Sequence, residues 1–428
     1  MAGFQVAVQI PLAGDNHSAN TTPLLERISF EQFNHPEVME VENDENAIAQ
    51  GKVVKKSLNT RSRAVLGGIE NINLGELPEM VVSESDQRPK CCLNAAITNA
   101  LRVLRKTVLK LPLQMRTDFY RFYKQRMEVR NECLMQNPTY FADLHDKLLI
   151  ADRIIDCAVQ ASFDYYQDVE YLVYPLPPSF LSGCVDLTPR MRHILVDWMV
   201  QVHQGYKLTT ETLFLALRLL DRYVYKSANQ VSRQIFQLLG VTALHIASKF
   251  VEIFPPDISD YSSLTEGCFD ASDIAVCEQM ILKGMDFFIN IPCPLLFLRR
   301  LSKSLGVDSL VHNLSKYFLE LAFQEYELAH LSANFLSTVA LCLALAVTNN
   351  THIIDDVWDA RLAFLSGYRI DDVREPLQIL ARAVLRQSEP SKYRATYEKY
   401  RSDDLFQRVA AMPELESRTM HMLGGTFF

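Results

Sequence analysis

Met191-Arg192-His193-Ile194-Leu195-Val196-Asp197-Trp198-Met199-Val200-Gln201-Val202 is an apolar run that also carries an arginine, an aspartate and a tryptophan. At 3.6 residues per turn Met191, Ile194, Leu195, Trp198, Met199 and Val202 fall within a sector of roughly 140°. Val196 and Val200 widen the apolar surface beyond it. Such a helix is expected to sit centrally in an all-helical domain. Any charge it buries must be paired, because an unpaired buried ion costs several kcal/mol.

Outward from this run the chain continues as helices of ordinary length broken by Pro or polar residues, with little strand-like alternation. Segments near 190–205, 209–226, 231–252 and 271–286 form one helical unit. Segments near 294–304, 308–328, 333–348, 355–366 and 371–386 form another. Between them stands Ile291-Pro292-Cys293-Pro294, where each proline removes a helical donor and restricts its predecessor. Upstream, residues 1–90 are rich in Asn, Ser, Glu, Gly and Pro with no sustained period, the composition of a disordered arm. Leu93, Ile97, Leu101, Leu104 and Val108 mark an amphipathic helix limited by Pro112, and a second helical tract is expected from Thr139 to about Ala158. The organisation is a 1–90 arm, a helical region 91–161, bundles at 162–291 and 292–390, and a 391–428 tail.

With 428 residues the chain exceeds one typical domain, and its formal charge of −8 argues against coating nucleic acid through a net field. Nine cysteines show no CxxC or Cys/His spacing suited to zinc, and no secretory signal opens the chain, so a reduced intracellular setting follows. Cys91 and Cys92 read as ordinary thiols. The longest apolar run, Leu336 to Val347, is too short to span a bilayer. There is no Gly-rich phosphate loop, no HExxH and no recognised nucleophile motif, so the chain does not read as an enzyme and no cofactor or metal is expected. Glu252, Asp257 and Asp260, an imaginable acid/base cluster, read instead as a solvated loop.

Three further runs join the first. Leu219-Leu220-Asp221-Arg222-Tyr223 ends an apolar helix face with an acid. Gln237-Leu238-Leu239-Gly240-Val241-Thr242-Ala243 leads into Ile246-Ala247-Ser248-Lys249-Phe250. Cys277-Glu278-Gln279-Met280-Ile281-Leu282 puts another acid on a hydrophobic helix. In this order the four runs resemble the cyclin box, most closely that of B-type mitotic cyclins, densely from about Tyr165 to Lys303 and more loosely to about Tyr400. The resemblance implies two tandem five-helix bundles. It implies that Arg192 and Asp221 form a buried ion pair between the first two helices. It also implies that Lys249 and Glu278 hydrogen-bond the backbone of a cyclin-dependent kinase, with Leu238 as an apolar contact. Ammonium donates to peptide carbonyls and carboxylate accepts from peptide N–H, so such a pair grips a backbone without reading its sequence. Taken alone, Lys249 and Glu278 would be solvated charges.

The same resemblance makes Met191, Leu195, Trp198 and Gln237 a docking groove for Arg-x-Leu-type peptides, whereas a bare Met/Leu/Trp stripe reads as core. Gln201, three residues after the tryptophan, stands where A-type cyclins have an acid, which weakens attraction for basic peptides. Val251 stands where the family repeats a glutamate. In the arm, Arg63-Ala64-Val65-Leu66-Gly67-Gly68-Ile69-Glu70-Asn71 resembles the destruction box read by the anaphase-promoting ubiquitin ligase, with Arg63, Leu66, Ile69 and Asn71 in place. The bare Arg-x-x-Leu core carries little information, since Arg192 to Leu195, Arg374 to Leu377 and Arg382 to Leu385 also match within expected helices. Lys52, Lys55 and Lys56 are nearby ubiquitin acceptors or plain solubilising charge, and Thr22-Pro23 is a proline-directed phosphosite pattern. The resemblance thus implies an activator of a cyclin-dependent kinase at the G2/M transition, in nucleus and cytoplasm, with neither nucleic acid nor membrane as partner. An A-type cyclin and a cyclin-fold transcription adaptor are the alternatives.

Overall fold

The computed structural model describes residues 113–137, 150–173, 175–389, 391–402 and 406–426. The destruction-box-like run, Lys52 to Lys56, Thr22, Cys91, Cys92 and the expected helix Leu93 to Val108 lie outside the described residues. Among those residues the fold is entirely helical, without strands.

Two helices lead: α1 (Leu113–Gln136) and α2 (Ile150–Val173). The helix expected to end near Ala158 therefore runs on to Val173, and α1 is one that periodicity had not marked out. A first bundle follows, with α3 (Pro189–Gly205), α4 (Thr210–Lys226), α5 (Phe236–Val251), α6 (Ile258–Ser263) and α7 (Ala271–Gly284). The second contains α8 (Pro294–Leu305), α9 (Ser309–Gln324), the single turn α10 (Tyr326–Ala329), α11 (Ala333–Thr348), α12 (Ala360–Ser366) and α13 (Ile370–Arg386). The short helices α14 (Ala395–Ser402) and α15 (Arg418–Leu423) pack back onto the bundles.

Local chemistry explains these limits. Thr188 caps α3 by accepting from the Met191 N–H at 3.3 Å, and Pro189 occupies the first turn, where its missing donor is not needed. Helix α9 stops at Gln324 because Glu325 is extended (φ −75°, ψ 122°), so the single helix expected over 308–328 is two pieces. Asp359 caps α12 by accepting from Leu362 N at 2.7 Å, which starts that helix later than the expected residue 355.

The hub of the first bundle is α5, which packs against α3, α4, α6 and α7; α11 plays the same part in the second. Helix α3, expected to sit centrally, lies between the two bundles and is not the hub of its own. Ten of the 17 residues of α3 are buried because it is covered on two sides, by its own bundle and by α9 and α14. The stretch Arg233–Val251, which includes α5, is long and apolar enough to cross a bilayer by composition, but 67% of its most apolar window is buried within the protein.

Charged groups join the bundles at helix ends, where backbone donors and acceptors lack intrahelical partners. Arg192 makes a bidentate pair with Asp221, both bonds 2.7 Å long, and donates to the carbonyls of Phe323 and Gln324 in the last turn of α9 at 2.9 and 3.1 Å. Arg218 donates to Ala329 O at 2.9 Å and Leu331 O at 2.6 Å, while Glu170 accepts from Arg218 and from the first N–H of α11, that of Ala333. Asp197, buried on α3, accepts from Ala395 N at 2.7 Å and from the Gln201 side chain at 3.0 Å. Burial raises its carboxyl above the ordinary value, and those donors only partly offset this. Residues beyond 391, which the sequence marks as a tail, thus supply a partner to α3.

Helix α1 is clasped to α2 by two more pairs, Arg126 to Asp168 at 2.8 Å and Arg130 bidentate to Asp164. Arg130 also donates to Phe364 O of α12 at 3.0 Å. Gly367, just past α12, sits at φ +77°, and a Cβ there would lie 2.6 Å from the Arg126 stem, so this close approach requires glycine.

Candidate protein-binding site

Helices α5 and α7 cross so that Lys249, in the last turn of one, meets Glu278, midway along the other. Two local devices hold them there. Asp270 caps α7 with Asp273 in a reciprocal capping box. Gly240 lets α5 approach α3, since a Cβ on it would stand 2.9 Å from Leu195 Cδ1. Lys249 Nζ contacts Glu278 Oε1 directly, with the lysine side chain 42% exposed and the glutamate 17%. The other carboxylate oxygen, Oε2, faces His245 Nε2 at 3.7 Å.

Exposed apolar side chains follow both helices that carry this pair. Phe250, Ile253 and Phe254 are exposed where α5 ends, and Phe287 and Phe288 are exposed just past α7. Asp286 and Phe287 both adopt positive φ (52° and 58°), a left-handed turn uncommon for side chains of this size. Lys226 braces that turn from α4, donating to Gly284 O and Asp286 Oδ2, each at 3.2 Å. Exposed aromatics on the segments that carry a half-exposed ion pair have the composition of a candidate protein-binding surface, whereas a core would bury them. The pair is legible in the sequence, whereas the exposure of the aromatics is not. The available signal was Phe250 and Ile253-Phe254 carrying the apolar run to and beyond the end of α5 at Val251, up to Pro255.

Other expected site residues fall elsewhere. Leu238 is 3% exposed and packs inward, so its side chain is core and offers no apolar contact to a partner. Leu195 and Trp198 are likewise buried; of the docking stripe, Met191 and Gln237 alone are half-exposed. That is the core reading of the stripe, flanked by two accessible ends. Arg192 and Asp221 are buried together, the geometry the resemblance implied.

Glu252, Asp257 and Asp260 are neither an acid/base cluster nor a plain solvated loop. Glu252 Oε1 accepts from the N–H and hydroxyl of Thr209 and the hydroxyl of Thr212, tying the end of α5 to the start of α4. Burial pushes its carboxyl up, but these hydrogen bonds outweigh burial and hold it below the usual carboxylate range. Asp257 and Asp260 form the capping box of α6, a helix the sequence reading had taken for loop. Arg374 to Leu377 and Arg382 to Leu385 lie within α13, where the extended form of a degradation signal is impossible.

Residues 161–290 match the family described as cyclin, N-terminal domain, and residues 292–415 match cyclin, C-terminal domain. The chain belongs to the cyclin family. This cyclin is 34% identical over 288 residues to a G2/mitotic-specific cyclin-B of Patella vulgata, covering 65% of this chain and 68% of the relative. It is 36% identical over 271 residues to a G2/mitotic-specific cyclin-B2 of Bos taurus, covering 62% and 66%. A G2/mitotic-specific cyclin-B of Arbacia punctulata aligns over 405 residues at 31% identity, covering 91% of this chain and 96% of the relative. The first two alignments thus span about two thirds of the relatives' length. Helix α1 and the first turns of α2 precede the matched domains of this cyclin, and no metal-holding cluster of His, Cys, Asp and Glu occurs among the described residues.

Proposed function

We propose that this cyclin is the regulatory subunit of a cyclin-dependent kinase and acts at the G2/M transition. The observation that carries the reading is the half-exposed Lys249–Glu278 pair set among Phe250, Ile253, Phe254, Phe287 and Phe288, in a chain whose relatives are named mitotic B-type cyclins. The aromatics supply apolar area to bury. Lysine and glutamate, once parted from each other, supply a donor to carbonyls and an acceptor for N–H groups on the partner's backbone.

Binding of this face to the kinase's regulatory helix would favour the arrangement in which that helix's glutamate pairs with the ATP-positioning lysine. The cyclin then acts by differential affinity for the active state and performs no chemistry itself. The buried Arg192–Asp221 pair keeps α3 and α4 in register beneath. Met191 and Gln237 border a docking groove for Arg-x-Leu-type peptides. Arg63, Leu66, Ile69 and Asn71 mark the chain for the anaphase-promoting ubiquitin ligase, and the complex works in nucleus and cytoplasm.

The deciding measurement is histone-kinase activity and affinity of a cyclin-dependent kinase mixed with wild type or with Lys249→Ala/Glu278→Ala. Loss of a desolvated partner of this kind costs ~2–5 kcal/mol, so binding should weaken roughly thirtyfold or more. If wild type neither binds nor activates any such kinase, the fold is an adaptor and the transcription reading takes its place. The degradation signal is tested by ubiquitination with Arg63→Ala/Leu66→Ala, which should abolish modification by that ligase while kinase activation stays intact.

A further inference from the structure

His245 and Lys249 stand one turn apart on α5, and Glu278 of α7 lies against both, with Oε1 on the lysine and Oε2 3.7 Å from His245 Nε2. Exposure grades outward along this row, from histidine (6%) through glutamate to lysine. The imidazole is held by an edge-on contact with the buried ring of Tyr261 of α6, centroids 5.2 Å apart, and Tyr261 in turn stacks on Tyr206 at the end of α3. The groups facing His245 are therefore Lys249 on its own helix, Glu278 on α7 and Tyr261 on α6, with Tyr206 behind. Its Nδ1 is buried and makes no hydrogen bond among the described residues.

In the free chain Glu278 is satisfied by Lys249. Using both groups on a partner's backbone requires that pair to part, and Glu278 then loses its counter-ion at the lip of the bundle. The nearest group able to take over is His245 Nε2, short of hydrogen-bond length by less than an ångström. We propose that His245 is a positioning residue of the kinase face: when Lys249 turns to the partner, Nε2–H donates to Glu278 Oε2 and keeps the carboxylate aimed outward. This rests on the reading of Lys249 and Glu278 as the kinase-gripping pair.

A pH signature follows. Burial and the neighbouring Lys249 lower the His245 pKa, while Glu278 raises it, so the ring is neutral in the free chain at neutral pH. Departure of Lys249 removes one of the two lowering influences and leaves Glu278. On this proposal the hydrogen bond to Glu278 makes the bound state hold a proton more readily than the free chain, and affinity rises as pH falls.

The test is the affinity of full-length protein for a cyclin-dependent kinase between pH about 7.5 and about 6, for wild type, His245→Gln, His245→Leu and Lys249→Ala/Glu278→Ala. Wild type should bind more tightly as pH falls, by no more than about tenfold per unit for a single proton. His245→Gln, which keeps a donor but cannot titrate, should bind within about twofold of wild type at the higher pH and lack the rise. His245→Leu should bind about tenfold more weakly, the loss expected of one hydrogen bond to a charged group. Should His245→Leu fail to fold, the pH profile of His245→Gln decides alone. A pH profile of His245→Gln identical to wild type overturns the proposal while leaving the kinase face intact. Full affinity in the Lys249→Ala/Glu278→Ala protein overturns the kinase face itself, and the role of His245 with it.

Discussion

Two ion pairs join neighbouring helices of the first bundle, and they differ in almost every physical respect except their chemistry. Arg192–Asp221 is 1% and 3% exposed, bidentate, and directs two further N–H groups to two carbonyls of the other bundle. Lys249–Glu278 is a single contact between a side chain 42% exposed and one 17% exposed, and among the described residues the apolar side chains that follow its two helices stay exposed. The first is a closed account of donors and acceptors, and removing any member leaves a charge stranded in the core. The second is open, and its groups are available to be exchanged. Arginine suits the closed role because its planar fork binds carboxylate and carbonyls together; lysine, a mobile point charge, suits the open one.

The contrast is most sharply tested by Arg192→Ala. It strands Asp221 and two α9 carbonyls, so unfolding free energy should fall by about 3–5 kcal/mol. Urea titration with circular dichroism reads this directly. A loss below about 1 kcal/mol would mean that water reaches the site and that the pair is not closed at all. The double change Arg192→Met/Asp221→Leu removes both charges together and should be less damaging than Arg192→Ala alone. The coupling energy expected for groups in one network is roughly 0.5–3 kcal/mol.

His203, on the same helix as Arg192, shows a third way of burying a titratable group: keeping it uncharged. Burial, followed by the nearby Lys399, pushes its pKa down to about 3. The unfolded chain takes up this proton near its usual value of about 6.5, so it binds more protons than the folded state below that pH. The contribution to stability is complete above about 6.5 and is lost as pH falls toward 3, at up to about 1.4 kcal/mol per pH unit. Asp168 acts in the opposite sense, because burial raises it to about 6 in spite of Arg126. The informative readout is therefore the difference in slope between wild type and His203→Gln, which should be shallower in acid. Equal slopes would mean that the ring is solvated or charged in the fold.

Much of this was legible in the chain. The apolar period of Met191 to Val202, with Arg192 and Asp197 inside it, dictated that buried charges would be paired; Arg192 is, with Asp221, whereas Asp197 is buried on neutral hydrogen-bond donors alone. Of the donors to Asp197, Gln201 lies one turn on in the same run, but the shorter bond comes from the backbone N–H of Ala395, 198 residues away, and a backbone donor leaves no mark on side-chain pattern. The central place of α5 escaped notice for a related reason: periodicity reports how much of a helix is buried, not what buries it. Lys249 and Glu278 were found through the order of four runs, whereas the exposed aromatics around them were hidden among an abundance of core phenylalanines. Helix α1 is held by Arg126 and Arg130 and by the glycine conformation at Gly367, and these are singular contacts that no period announces.

The smallest effect completes the comparison. Lys249→Ala should alter unfolding free energy by no more than about 0.5 kcal/mol, because an exposed lysine gains little from one ion pair after solvent screening and side-chain ordering are counted. Glu278 keeps partial access to water and retains His245 at 3.7 Å, so no charge is stranded. A urea titration of the free protein beside Arg192→Ala under one buffer makes the measurement. A loss of several kcal/mol for Lys249→Ala would make the outer pair a structural lock like the inner one. Its availability to a partner would then be gone, since a pair that the fold needs closed cannot be opened by a kinase backbone without unfolding α5 from α7.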